Sequence, residues 1–357
     1  MSDDTARSER RFRGLRGLVA IALCDLYDPP ELSVQPLIIV SDVRELSADA
    51  VSRLRALLGR MRPPDGRLVL VAHGDGPRSR AYARVLGATE TVPASDLDAL
   101  PALIERLVVE TGRVPLSAMA HAERARQFLS DTFNKGILTQ AEVQNGTEAV
   151  ARAIGAAGIL DWIRVVREFD DATHQHILLV AGLAAAFAGT LGLAAPDRHR
   201  LTKAALLHDV GKTKVPAAIL TKPGRLDAAE MAIMRTHAAA GHAMLLGQGF
   251  EAPVLAVARS HHEMLDGSGY PDGLDGRDIP DLVRLVTVCD VYGALIERRP
   301  YRAPLGSAEA FGILDGMAGR LDRVLIGAFK PVVIAPVIVL EGKPSSTRDR
   351  AGLRAPA

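Results

Sequence analysis

Cysteine is nearly missing: Cys24 and Cys289 are the only two in 357 residues, far apart and in no CxxC pattern. That excludes a disulfide framework and a thiolate metal site. An excess of one charge is missing too. With 43 basic and 42 acidic residues the formal net charge is +1, which removes the global electrostatic case for duplex nucleic acid or an anionic membrane as partner. Any anionic ligand must be held locally. The opening MSDDTARSERRFRGLRG lacks the uninterrupted apolar core of a signal peptide, so residues 1–16 read as a flexible, solvated tail and the cytoplasm as the compartment. No internal repeat or low-complexity segment stands out. One uncharged run, Ile177 to Pro196, has about the length of a bilayer span. Its alanines and glycines make it only weakly hydrophobic, and it lacks aromatic belts and basic anchors, which predicts a buried core helix instead.

From Gly17 to Val114 the apolar runs GLVAIAL, PLIIV, RLVLVAH and TETV alternate with the helix-periodic segments ADAVSRLRALLGRM and DLDALPALIERLV. This pattern predicts a small α/β domain with a parallel sheet over residues 17–114. Beyond Pro115 the strand signals stop. Long amphipathic segments predict an all-α remainder: a helical linker over 115–160, a helical bundle over 161–340, and a disordered tail over 341–357. The α/β part resembles a response-regulator receiver domain, with Asp42 after LIIVS where a phospho-acceptor would stand. Val92 occupies the place of that family's lysine, and only about ten residues separate Asp25 from Pro36. A degenerate receiver, used for contacts and not for phosphorylation, is the expectation.

What the chain does have is histidine in one place. His174, His176, His199, His208, His237, His242, His261 and His262 are eight of ten, within about a quarter of the length. Imidazole at this density points to a metal, and added carboxylates point to iron or manganese, with zinc also permitted. ALLHDVGK sets His208 beside Asp209, with Lys212 one helical turn on from His208.

The motifs HDVGK, MRTHAAAG, HHEMLDGSGYP, CDVYGAL and RPYR follow one another in the order and spacing of the HD-GYP phosphodiesterases, and the chain resembles that family from about Trp162 to Val333. The resemblance implies an HD-type helical bundle that hydrolyses cyclic di-GMP to linear pGpG, and onward to GMP, with a metal-bridging hydroxide as nucleophile. It implies two divalent ions held by His176, His208, Asp209, His237, His261, His262 and Asp290, with Asp209 as the bridge. Lys212 would steady the hydroxide or the phosphorane charge beside Asp209. Arg299 and Arg302 would hold the diester phosphates. Gly267 and Gly269 would permit positive φ or a close approach, and Gly269, Tyr270 and Pro271 would lie beside the substrate and offer a surface to a diguanylate cyclase domain. A homodimer is a further expectation. His174, His199 and His242 fall to surface or supporting positions, and His73 and His121 to structural ones. Glu263 is either an imidazole partner or a solvated residue.

Three departures from the family pattern bear on the site. Ala172 stands where some members place a carboxylate for a third metal, so two ions are expected. Ile177 replaces a serine, and Gly293 replaces an aspartate whose loss would weaken metal binding or rate. The alternatives are a catalytically weak module that binds cyclic dinucleotides, and a phosphodiesterase for another ring such as cyclic GMP-AMP.

Overall fold

The computed structural model describes residues 1–12, 21–30, 36–74, 76–135, 138–298 and 304–334. Three short strands, β1 (Ile38–Ser41), β2 (Arg67–Ala72) and β3 (Glu90–Pro93), run parallel in that order, with Ile39 opposite Leu68 and Leu70 opposite Thr91. Central β2 is covered on both faces, which is why it reads as an unbroken apolar run. Leu68 and Leu70 pack toward α2 (Ala48–Met61) and α3 (Pro77–Leu86), whereas Val69 packs toward α4 (Leu100–Glu110). The period-2 alternation of side chains thus supplies both helix layers from one strand.

Part of the expected first strand, 17–20 of GLVAIAL, lies outside the described residues, and Ile21 to Leu23 form no strand. Nearby backbone groups are satisfied by the start of the chain instead. Ser2 donates its N–H to Cys24 O at 3.0 Å, Leu26 N donates to Ser2 O at 2.9 Å, and Asp42 N donates to Met1 O at 2.9 Å. Helix α1 (Thr5–Arg11), capped by Asp4, follows. Residues 1–12 are therefore packed, contrary to the expected solvated tail.

After α4 the described residues form helices: α5 (Leu116–Lys135), α6 (Gln140–Val166), α7 (Ala172–Thr190), α8 (Ala195–Leu207), the short α9 (Ala217–Leu220), α10 (Ala228–Leu245), α11 (Ala252–Ser260), α12 (Asp281–Ile296), α13 (Ser307–Asp315) and α14 (Arg323–Val333). The expected linker is more than a connection. Ala122, Ala125 and Leu129 of α5 and Val143, Val150 and Ala153 of α6 belong to the same apolar core as α7, α8 and α12. The tail 341–357 lies outside the described residues.

Helix α7 is the long apolar run, and it is long and apolar enough to cross a membrane by length and composition, yet 67% of its most apolar window is buried within the protein. The single tryptophan, Trp162 of α6, fixes it. Its indole N–H donates to Leu178 O at 2.8 Å, and the ring occupies the space where a side chain on Gly182 would stand. Truncating such a buried indole costs about 3–5 kcal/mol. This contact fixes the rotation of α7 two residues from His176.

Candidate metal centre

Five elements bring the histidines and aspartates to one point. His176 lies in the second turn of α7, His208 and His261 end α8 and α11, His237 lies within α10, and Asp290 lies within α12. Asp209 and His262 follow directly on two of these helix ends. The chain after Asp209 turns into a 3-10 segment, Val210–Lys214. A side chain on Gly211 would meet His237 O at 2.0 Å, so glycine is what lets α10 press onto this turn and carry His237 over Asp209.

The ligand-type atoms fall into two groups, Asp209, His237, His261 and His262 in one, and His176, His208 and Asp290 in the other, each within 4.8 Å of one another. All are buried except His262, which is partly exposed. Asp209 joins the groups: its Oδ1 lies 3.2 Å from His237 Nε2 and its Oδ2 lies 3.2 Å from His208 Nε2 and 3.5 Å from His176 Nε2. Asp290 Oδ1 lies 3.0 Å from His176 Nε2.

The ring protons can be placed from their partners. Nδ1 of His208, His237 and His261 lies 2.6, 2.7 and 3.0 Å from the carbonyl oxygens of Ala205, Met234 and Val257. A carbonyl only accepts, so each Nδ1 donates and each Nε2 keeps its lone pair when neutral. The Nε2 atoms of His237 and His261 then face each other at 3.2 Å. His208 Nε2 and Asp209 Oδ1 are buried without a hydrogen-bond partner among the described residues. Lone pairs converging on buried orphan atoms are what a cation resolves, and imidazole with carboxylate suits a divalent transition ion.

Electrostatics fit the same picture. Burial would raise Asp209, but Lys212 and His208 outweigh it and hold its carboxyl well below the usual range; Asp290 is likewise depressed against its burial, by His176 and His262. Burial pushes His237 down to about 4 and His262 down as well, which keeps both neutral for ligation. His176 goes the other way. Burial opposes its charge, but Glu297 and Asp290 prevail and raise it to about 10.

Lys212 reaches the site differently from the α-helical spacing expected. Its ammonium pairs with Asp209 Oδ2 at 2.5 Å, three residues back, because a 3-10 turn places i and i+3 in line. Tyr270 stacks on His262 with ring centroids 4.6 Å apart, and Arg235 lies 5.0 Å above the Tyr270 ring. Gly267 takes φ +72, while Gly269 sits so close to the backbone that an added side chain would lie 2.4 Å from Glu263 Cα. Arg299 and Arg302 lie outside the described residues.

One acidic residue was misjudged from sequence and another was missed. Glu263 is neither an imidazole partner nor solvated: it is buried and accepts from the backbone N–H groups of Asp272, Gly273 and Leu274 at 2.7, 3.1 and 3.0 Å, fixing the loop that carries Tyr270. Glu297, not foreseen, lies 2.8 Å from His176 Nδ1. A signal existed, since Glu297 follows Asp290 by two helical turns and shares its face. His174 packs edge-on against Phe133 at 5.0 Å, away from the groups above. His73 lies 2.7 Å from Asp42, a structural contact as expected of it.

Residues 159–325 match the HD domain family. Over 265 residues the chain is 41% identical to a cyclic di-GMP phosphodiesterase of Pseudomonas aeruginosa, covering 74% of this chain and 63% of that protein. It is 35% identical over 188 residues to a cyclic di-GMP phosphodiesterase of Thermotoga maritima, covering 51% of this chain and 49% of that one. A 3'3'-cGAMP-specific phosphodiesterase of Vibrio cholerae is 40% identical over 143 residues, 40% of this chain and 31% of that one. The chain thus spans less than two thirds of each of these relatives. Among solved structures, an HDG"Y"P protein from Bdellovibrio bacteriovorus shares the fold with a TM-score of 0.50 at 21% identity, over 60% of this chain and 71% of that one.

Proposed function

We propose, from the match of residues 159–325 to the HD domain family and the likeness to cyclic di-GMP phosphodiesterases, that the chain is an HD-GYP-type, metal-dependent phosphodiesterase that hydrolyses cyclic di-GMP to linear pGpG and onward to GMP. The observation that carries the reading is the buried pair of ligand groups joined through Asp209, with lone pairs of His208, His237 and His261 turned inward. Two divalent ions, iron or manganese, would be held by His176, His208, Asp209, His237, His261, His262 and Asp290, and would supply Lewis-acid activation of water and of the phosphoryl oxygen.

The chain's own residues do the rest. Lys212 is opposed by burial, but Asp209 dominates and its ammonium keeps its proton more firmly than usual. That suits it to hold the negative charge that grows on the phosphoryl oxygens. Tyr270 stays protonated, its phenol raised by burial and by Asp290 and Asp209, so its ring packs and its hydroxyl can donate to substrate. Glu263 pins the Tyr270 loop, which keeps one wall of the site in place for substrate. Arg299 and Arg302, which follow α12 in sequence, would take the diester phosphates as guanidinium forks.

The N-terminal sheet with helices on both faces supports reading 17–114 as a degenerate receiver that regulates the helical half. A cytoplasmic location, a homodimer and a diguanylate cyclase partner at the Tyr270 loop belong to the same proposal. A mixed GMP-AMP ring is the second substrate to try, since the relatives include cGAMP-specific phosphodiesterases at 40% identity. The test is chromatography of cyclic di-GMP and of cyclic GMP-AMP incubated with manganese- or iron-loaded protein. Linear dinucleotide from the first supports the reading. Intact rings from both would overturn it.

A further inference from the structure

We propose that Glu297 is a positioning residue that governs one of the two metal positions selectively, the one at His176, His208 and Asp290. The inference rests on the metal reading above and deepens it. Among the five imidazoles of the centre, His208, His237 and His261 turn Nδ1 to a neutral carbonyl of their own helix, three or four residues back. His262 Nδ1 lies 3.6 Å from Asp290 Oδ2, too far for a hydrogen bond. His176 alone has a carboxylate behind it, with Nδ1 2.8 Å from Glu297 Oε2. Both residues are buried, His176 at 7% and Glu297 at 5% exposure.

A carboxylate in this place does two things. It fixes the ring so that Nε2 points to Asp290 and Asp209, at 3.0 and 3.5 Å, and it makes the imidazole a stronger donor to whatever cation lies there. Neither effect reaches His237 or His261, whose Nε2 atoms serve the other group. The geometry is held from outside. Glu297 ends α12, its N–H donating to Gly293 O at 3.0 Å. Arg167 donates to Ile296 O at 3.1 and 2.8 Å, and Arg298 N donates to Gln175 Oε1 at 2.9 Å. The end of α12 is thereby tied to the end of α6 through Arg167 and to the start of α7 through Gln175, next to His176 itself. Gly293, one turn earlier, carries no group that could substitute, and a side chain there would meet Val180 Cγ2 at 2.9 Å. The close packing of α12 on α7 leaves 297 as the position on α12 from which a carboxylate reaches Nδ1 of His176.

The experiment is a competition titration of metal-free wild type and Glu297→Gln with manganese and with zinc, read as affinity and stoichiometry without any assay of hydrolysis. Wild type should take two ions. Glu297→Gln should hold one ion with wild-type affinity and the other roughly ten- to a hundredfold more weakly. Two ions bound as in wild type, or two weakened alike, would overturn the inference while leaving the phosphodiesterase reading standing; a wild type that binds no ions would sink that reading instead. If the variant does not fold, nitrogen-15 histidine spectra of the zinc-loaded wild type decide. One Nδ1 proton should be shifted far downfield by a carboxylate, and spectra in which none stands apart would reject the role.

Discussion

His237 and His261 aim their Nε2 atoms at each other across 3.2 Å while both Nδ1 atoms donate to backbone carbonyls. Neutral rings so placed repel, and burial opposes protonation of His237. The bundle is therefore strained at this point by electrostatics in the absence of a cation, and cation binding and folding are coupled. Thermal unfolding should show it: stripping metal with a chelator lowers Tm, and adding back manganese or iron restores it. A Tm indifferent to chelation would contradict a metal centre here.

Stoichiometry follows from what α7 lacks. Ala172 cannot coordinate, and the described residues offer two ligand groups, not three. Elemental analysis of protein purified without oxygen or chelators should give close to two ions per chain. A reproducible value near three would refute the two-ion site.

Asp209 is the residue on which both groups depend, because its two oxygens face different histidines. Asp209→Asn removes the charge between the ions and should abolish hydrolysis together with most bound metal. Arg299→Ala should keep the metal and weaken substrate binding by about 1.5–3 kcal/mol, roughly ten- to a hundredfold in KM. If the protein were instead a nucleotide sensor, metal-replete wild type would bind cyclic di-GMP tightly yet leave it uncleaved over hours.

Metal affinity should depend on pH through His176. In the metal-free protein burial opposes its charge, but Glu297 and Asp290 hold its pKa up to about 10, so at neutral pH binding must expel a proton. Apparent affinity for the ion at His176 should rise about tenfold per pH unit between 7 and 9. The same shift has the opposite sign for the stability of the metal-free chain: a raised pKa stabilises fully below about 6.5 and its contribution disappears as pH climbs through about 10. His237, pushed down to about 4 by burial, contributes no such slope. Equal affinity at pH 7 and 9 would count against a protonated His176.

Asp42 should not accept a phosphoryl group. Its carboxylate is buried and occupied, with Ser8 Oγ donating at 2.8 Å, Arg11 Nη1 at 3.2 Å, and His73 Nε2 2.7 Å away, and Val92 stands where the lysine of a working receiver would be. Mass spectrometry after treatment with a small phosphodonor should show no gain. An Asp42-dependent gain of one phosphoryl group would overturn this.

The candidate metal site was legible because most of its histidines and aspartates sit in short motifs whose neighbours betray them: His208 and Asp209 before a glycine that must admit α10, His261 and His262 at a helix end. Their convergence was not legible from any one helix, since it depends on how α7, α8, α10, α11 and α12 pack. Glu297 escaped because its partner, His176, is 121 residues away in sequence. Lys212 was placed on an α-helical face that the chain abandons one residue after His208. The described end of the expected first strand, Ile21 to Leu23, forms no strand for a similar reason: it looks apolar and regular, but Met1 and Ser2 supply the nearby backbone partners, and nothing in a local window announces a partner from the start of the chain.

Trp162 gives the helical half an optical label. As the only tryptophan in the sequence, with its indole buried at 2% exposure and bonded to Leu178 O, it reports on the seam between α6 and α7 and on nothing in the sheet. Emission from the native protein should be blue, and the red shift on denaturation will trace the helical half alone, while circular dichroism sums both halves. Two transitions that coincide would mean that sheet and bundle melt as one cooperative unit; two that separate would measure how loosely the sheet half is coupled to the helical one. Iron bound at His176 would also quench that emission across a few residues, so loading could be followed in real time without any added dye.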